Sequence, residues 1–101
     1  MDMRHLLEQA KALERALQQT DERLRSHESE GSAGGGAVKV RVNGAGEVTL
    51  LKIAPELLAG GDVSLVEQTV LAALKQATTA ARAVRDKERA ALTGGLKLPD
   101  F

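Results

Sequence analysis

The stretch Ala37-Val38-Lys39-Val40-Arg41-Val42-Asn43-Gly44-Ala45-Gly46-Glu47-Val48-Thr49-Leu50-Leu51-Lys52-Ile53 decides the fold. Val38, Val40 and Val42 point one way and Lys39 and Arg41 the other, the alternation of a half-buried strand. Asn43-Gly44 opens a turn, Ala45-Gly46 lengthens it, and residues 47–53 return as a second strand, giving a hairpin over 37–53. In the return strand Val48 and Leu50 alternate with Thr49, Leu51 and Ile53, so apolar groups are expected on both faces. One face can pack on helices. The other needs cover as well, which points to a second copy of the chain, with Val38, Val40, Val42, Val48, Leu50, Leu51 and Ile53 as the expected interface residues.

Downstream of the hairpin, Pro55 cannot donate to a ladder and suits the first turn of a short helix. Gly60-Gly61-Asp62 breaks that turn, and Ser64 with Glu67 makes a capping box that starts a long helix over 64–92. Val66, Val70, Ala73, Ala77, Ala81 and Val84 form its buried stripe, and Thr93-Gly94-Gly95 stops it before a tail at 96–101. Upstream, Leu6, Ala10, Leu13, Leu17, Thr20, Leu24 and His27 recur at steps of four and three, the coiled-coil period, predicting a helix over 3–27. Residues 28–36, Glu-Ser-Glu-Gly-Ser-Ala-Gly-Gly-Gly, read as a turn or mobile connector. They lack the Lys-Ser/Thr of a phosphate loop, and no helix follows them.

Composition bounds the rest. The chain has 101 residues, the length of one domain, and Phe101 is its only aromatic. A core built from alanine, valine and leucine suits helices packed on helices or on a partner chain, again favouring a homodimer. The absence of cysteine removes disulfides, thiolate nucleophiles and zinc–cysteine sites. No apolar leader follows Met1 and no apolar run spans a bilayer, so a cytoplasmic location without membrane contact is expected.

Catalytic templates are missing too. His5 and His27 lie 22 residues apart on one helix, and no serine has the context of a nucleophile elbow. Glu28 and Glu30 sit in a polar, glycine-rich stretch with no walled cleft to tune them. No enzyme, cofactor, metal or small-molecule substrate is therefore expected.

Net charge is zero, with 14 basic and 14 acidic residues, which by itself does not suggest nucleic acid. The charges are nonetheless uneven. Residues 75–96 carry Lys75, Arg82, Arg85, Lys87 and Arg89 against Asp86 and Glu88 only. Arg82, Arg85 and Arg89 are spaced at three and four and so share a helix face. The bland account of that face is intrahelical pairing, Arg82 with Asp86 or Arg85 with Glu88. The functional account is contact with DNA phosphates through faces duplicated in a dimer, with Arg4, Lys11 and Arg15 of the first helix as further candidates.

Val38-Lys39-Val40-Arg41-Val42-Asn43-Gly44, then Gly46-Glu47-Val48, then Ile53-Ala54-Pro55-Glu56-Leu57-Leu58, resembles the core of the YbaB/EbfC family of nucleoid-associated proteins. Asp62, Leu65-Val66-Glu67, the alanine-rich helix with Ala72, Ala73 and Ala77, and the Pro99-Asp100-Phe101 ending continue the likeness. The resemblance implies one α+β domain over 1–101. It would have a long N-terminal helix, a small antiparallel three-stranded sheet and a long C-terminal helix, assembled as an intertwined homodimer. It implies binding to double-stranded DNA in the bacterial nucleoid in an architectural or regulatory role. The family's first strand would fall at 26–32, a stretch more polar here than is usual for it. The leucine stripe of the first helix also fits a different role, a dimeric adaptor or small chaperone that binds protein and not DNA.

Overall fold

The computed structural model describes residues 2–92; the tail expected at 96–101 lies outside them. The order of elements is α1 (Met3–Ser26), β1 (Glu28–Ala33), β2 (Val38–Asn43), β3 (Val48–Ile53), α2 (Pro55–Ala59) and α3 (Val63–Leu92). The three strands form an antiparallel sheet in the order β1-β2-β3, and α3 lies across β1 and β2.

The first strand that the resemblance implied at 26–32 is present, and it corrects the residue-level reading of 28–36 as a connector. Glu28–Ala33 is a full partner of β2, and only the glycines at 34–36, with φ of 66°, 67° and 91°, make the turn. Its polarity follows from its position. Glu28, Glu30 and Ser32 point away from α3, where Glu30 pairs with Arg41 at 3.5 Å and Glu28 accepts from Thr49 Oγ1 at 3.2 Å. Ser29, Gly31 and Ala33 face the helix. Gly31 is buried because the α3 backbone runs directly over it. A Cβ there would overlap the Ala73 carbonyl oxygen and come within 2.6 Å of the Ala77 backbone nitrogen.

Val38, Val40 and Val42 were expected at a subunit interface, and their position is different. They are 0–1% exposed and form the core with Ala73, Ala77 and Ala81 of the same chain's α3. Small residues on the helix and β-branched residues on the strand let the two backbones approach closely. The return strand departs from simple alternation too. A bulge pairs Arg41 with Leu50 but Val42 with Val48, leaving Thr49 as the extra residue. Val48, Leu51 and Ile53 thereby share the valine side of the sheet, and only Leu50 is left among polar groups on the other. Since α3 covers β1 and β2, Val48 and Leu51 stay 56% and 52% exposed.

Helix α3 starts one residue earlier than the Ser64–Glu67 box suggests. The cap is Asp62, whose Oδ1 accepts from the Leu65 amide at 3.0 Å. Helix α1 is capped by Asp2 and buries only Thr20 and Leu24, so most of its length projects from the body, and the molecule measures 69 × 23 × 17 Å.

Because the α3 backbone occupies the space a side chain would need, Gly31→Ala is expected to cost about 1–3 kcal/mol by overpacking. Gly60→Ala, at φ −67° with its nearest neighbour 3.6 Å from the added carbon, is expected to leave stability unchanged or slightly raised. Urea denaturation of both variants at one protein concentration checks this.

Candidate nucleic-acid interface

Two contacts fix the last turns of α1 at the end of the sheet. The Gly44 amide donates to the Leu24 and His27 carbonyls at 2.7 and 3.0 Å, and a Cβ at Gly44 would lie 2.7 Å from the Leu24 side chain. The glycine of the β2–β3 turn is thus the seat of the helix end. His27 closes α1 as its C-cap, its amide donating to the Arg23 and Leu24 carbonyls. On the neighbouring face Thr20 is buried, its hydroxyl donating to the Ala16 carbonyl at 2.9 Å. Arg23 reaches from Thr20 Oγ1 to Glu88 of α3, each at 3.3 Å. This ion pair is largely exposed and contributes little to stability. It does report that the second half of α1 runs beside the last turns of α3.

Between the two helices is a notch of about 380 Å³. Leu17 and Leu24 give it an apolar lining, and Arg25, Arg85 and Arg89 surround it with Asp21 as the one acidic lining residue. Arg85 is half-buried, and among the described residues its Nε is buried with no hydrogen-bond partner. A buried donor without an acceptor is costly, so the Arg85 guanidinium is held at the notch with donor capacity unused. Guanidinium groups present paired N–H donors that match phosphate oxygens.

The expected DNA contacts are therefore spread out. The notch brings together Arg85 and Arg89. Lys75, Arg82 and Lys87 are exposed on α3 outside it, and Arg4, Lys11 and Arg15 are exposed along the projecting part of α1. Glu88, a candidate partner for Arg85 within the helix, instead takes Arg23 from α1. Arg25 was not anticipated, because which side of α1 meets α3 depends on the Gly44 seat and not on any local motif. Arg25 also lies 3.9 Å from Glu47, an exposed and loose pairing.

Among the described residues no cluster of three or more His, Asp or Glu side chains could hold a metal ion, and no helix is long and apolar enough to cross a membrane. The His5 ring lies within hydrogen-bond distance of the Gln9 side chain, at 3.3 Å on exposed helix. The arginines around the notch offer cationic N–H donors suited to an anion.

A model of the YbaB/EbfC DNA-binding family matches residues 1–96. A nucleoid-associated protein of Anaeromyxobacter sp. is 41% identical over 99 residues, covering 98% of this chain and 96% of the relative. Another from Clostridium perfringens is 40% identical over 98 residues, covering 97% and 88% respectively. The crystal structure of an uncharacterized protein from Helicobacter pylori superposes with a TM-score of 0.82 at 26% identity, over 93% of this chain and 99% of that one. With the family matched across almost the whole chain and the fold shared with a solved structure, this protein belongs to the YbaB/EbfC DNA-binding family.

Proposed function

We propose that the chain acts as a homodimer that holds double-stranded DNA by its phosphate backbone in the bacterial nucleoid, in an architectural or regulatory role and without catalysis. The observation that carries this reading is the arginine-lined notch between α1 and α3, with its unpartnered buried Arg85 Nε. Family membership supplies DNA as the polyanion, and the names of the bacterial relatives support the nucleoid as the place. Exposed basic residues on both helices, Arg82 and Lys87 on α3 and Arg15 on α1, extend the phosphate-contacting surface beyond the notch. Contacts of this kind position a protein on DNA without reading base sequence.

The dimer reading rests on apolar surface. Val48 and Leu51 beside α3, and Leu6, Leu7, Leu13 and Leu17 along α1, are all 43–57% exposed. Leucines at coiled-coil spacing on a projecting helix favour a second helix as their cover. Twofold symmetry then presents each basic face twice.

If Arg25, Arg85 and Arg89 from both subunits each neutralise a phosphate, they should contribute about −5 to the slope with which the logarithm of affinity falls against the logarithm of salt. Arg25→Gln/Arg85→Gln/Arg89→Gln should weaken duplex binding more than about tenfold and make that slope shallower by up to about 5. Fluorescence titration over a salt series measures both, with circular dichroism verifying the fold. Arg25→Gln/Arg89→Gln, which leaves half-buried Arg85 in place, should give an intermediate slope. Salt-independent binding by the wild type, or an unchanged slope in the variants, contradicts the proposal.

Val48→Lys/Leu51→Lys alters exposed positions only. Analytical ultracentrifugation at micromolar concentration is expected to give a dimer for the wild type and a shift towards monomer for this variant. A monomeric wild type rules the dimer out.

A further inference from the structure

The sheet has a second face, turned away from α3, and its charges are not balanced. Three cations stand on it, Lys39 and Arg41 of β2 and Lys52 of β3, against Glu28 and Glu30 of β1. Arg41 is matched by Glu30 across β1. Lys39 and Lys52 are not matched. They are register partners directly opposite each other, both exposed, and neither forms an ion pair among the described residues. On its other side Lys39 faces Ser32 of β1, which offers no charge.

Like charges directly opposite in an antiparallel pair destabilise it. Here the conflict is placed beside open space. A depression of about 340 Å³ adjoins both lysines, and Gly36, Ala37, Ile53, Ala54 and Pro55 form its other walls. A Cβ at Gly36 would meet nothing within 4 Å, so the approach to the backbone is clear. An anion set between two adjacent ammonium groups removes their repulsion and gains two charge-assisted hydrogen bonds.

We infer that Lys39 and Lys52 form a second phosphate-backbone contact for double-stranded DNA, on the open face of the sheet and separate from the α1–α3 notch. The inference rests on the DNA-binding reading above. Its position gives it a distinct consequence. The notch adjoins Ala45, in the β2–β3 turn. The lysine pair lies towards the other end of the strands, about four residues or 13 Å along β2, and on the sheet face opposite α3. Duplex DNA is stiff over about 150 base pairs, so one short segment seated at the notch does not fold round to the far face. The lysine pair engages a second segment, and the protein joins two duplexes.

The test compares wild type with Lys39→Gln/Lys52→Gln, a change on exposed side chains that leaves core and notch intact. One 30-base-pair duplex is fixed to beads, and a second, differently labelled duplex is captured through the protein. The variant is expected to bind a single duplex within about twofold of wild type and to lose capture of the second duplex by tenfold or more. The salt slope of that second capture is expected to be shallower by about 2 for each lysine pair lost. Undiminished capture by the variant, or no bridging by a wild type that binds single duplexes, overturns the inference and leaves the DNA-binding reading standing. A wild type that binds no duplex at all overturns both.

Discussion

The protein depends on one close approach, that of the α3 backbone to β1 at Gly31. Ala73 and Ala77 sit where any larger group would hold the helix off the sheet, and Gly31 contributes no side chain at all. A chain with a single aromatic residue has no bulky side chains with which to fill a wide gap between layers. It closes the gap instead, bringing helix and strand so near that valines and alanines suffice. The position of α3 over β1 and β2 decides what is left uncovered, namely the apolar side of β3. It also decides where the last turns of the helix emerge to meet α1.

Gly44 repeats the device at the other end of the sheet. It lets Leu24 and the α1 terminus settle on the β2–β3 turn, and from that seat the rest of α1 projects. Two glycines thus orient the two long helices relative to one sheet, and the notch between them is the product. The arginines around it are spread over the chain, Arg25 on α1 and Arg85 and Arg89 on α3. A net charge of zero is compatible with such a site because the charges are segregated. Glu30 and Glu47 are engaged beside Arg41 and Arg25, and Glu88 draws Arg23 across to α3.

Most of the fold was legible in the residues. The alternation of Val38, Val40 and Val42, the Asn43-Gly44 turn, Pro55 at a helix start and the periodicity of both long helices all correspond to elements of the structure. What escaped was tertiary in origin. The polar stretch at 28–33 looks like a connector because its strand character comes from pairing with β2 and from contact of Gly31 with a helix some 40 residues later. The three valines were assigned to an interface because a strand pattern says that a face is buried but not by what. The bulge at Thr49 has no local signature either, yet it decides which face Val48 joins. Among the basic residues, helical spacing put Arg82, Arg85 and Arg89 on one face of α3; the notch takes in Arg85 and Arg89 and leaves Arg82 outside, and nothing local related any of them to Arg25.

The same bulge has a bearing on assembly. β3 is an edge strand of six residues with apolar side chains exposed on one side, a combination that invites strands of other molecules to add in register. The irregularity at Thr49 breaks the even row of amide and carbonyl groups along that edge and increases its twist. The opposite edge is blunted in another way, with the Ser32 amide taken up by the Gln76 side chain. Growth of a ribbon by successive edge pairing is therefore disfavoured at both margins, while the apolar side of β3 stays exposed. Contact through the exposed apolar side chains of Val48 and Leu51 is thereby favoured over strand addition as a route by which copies could meet.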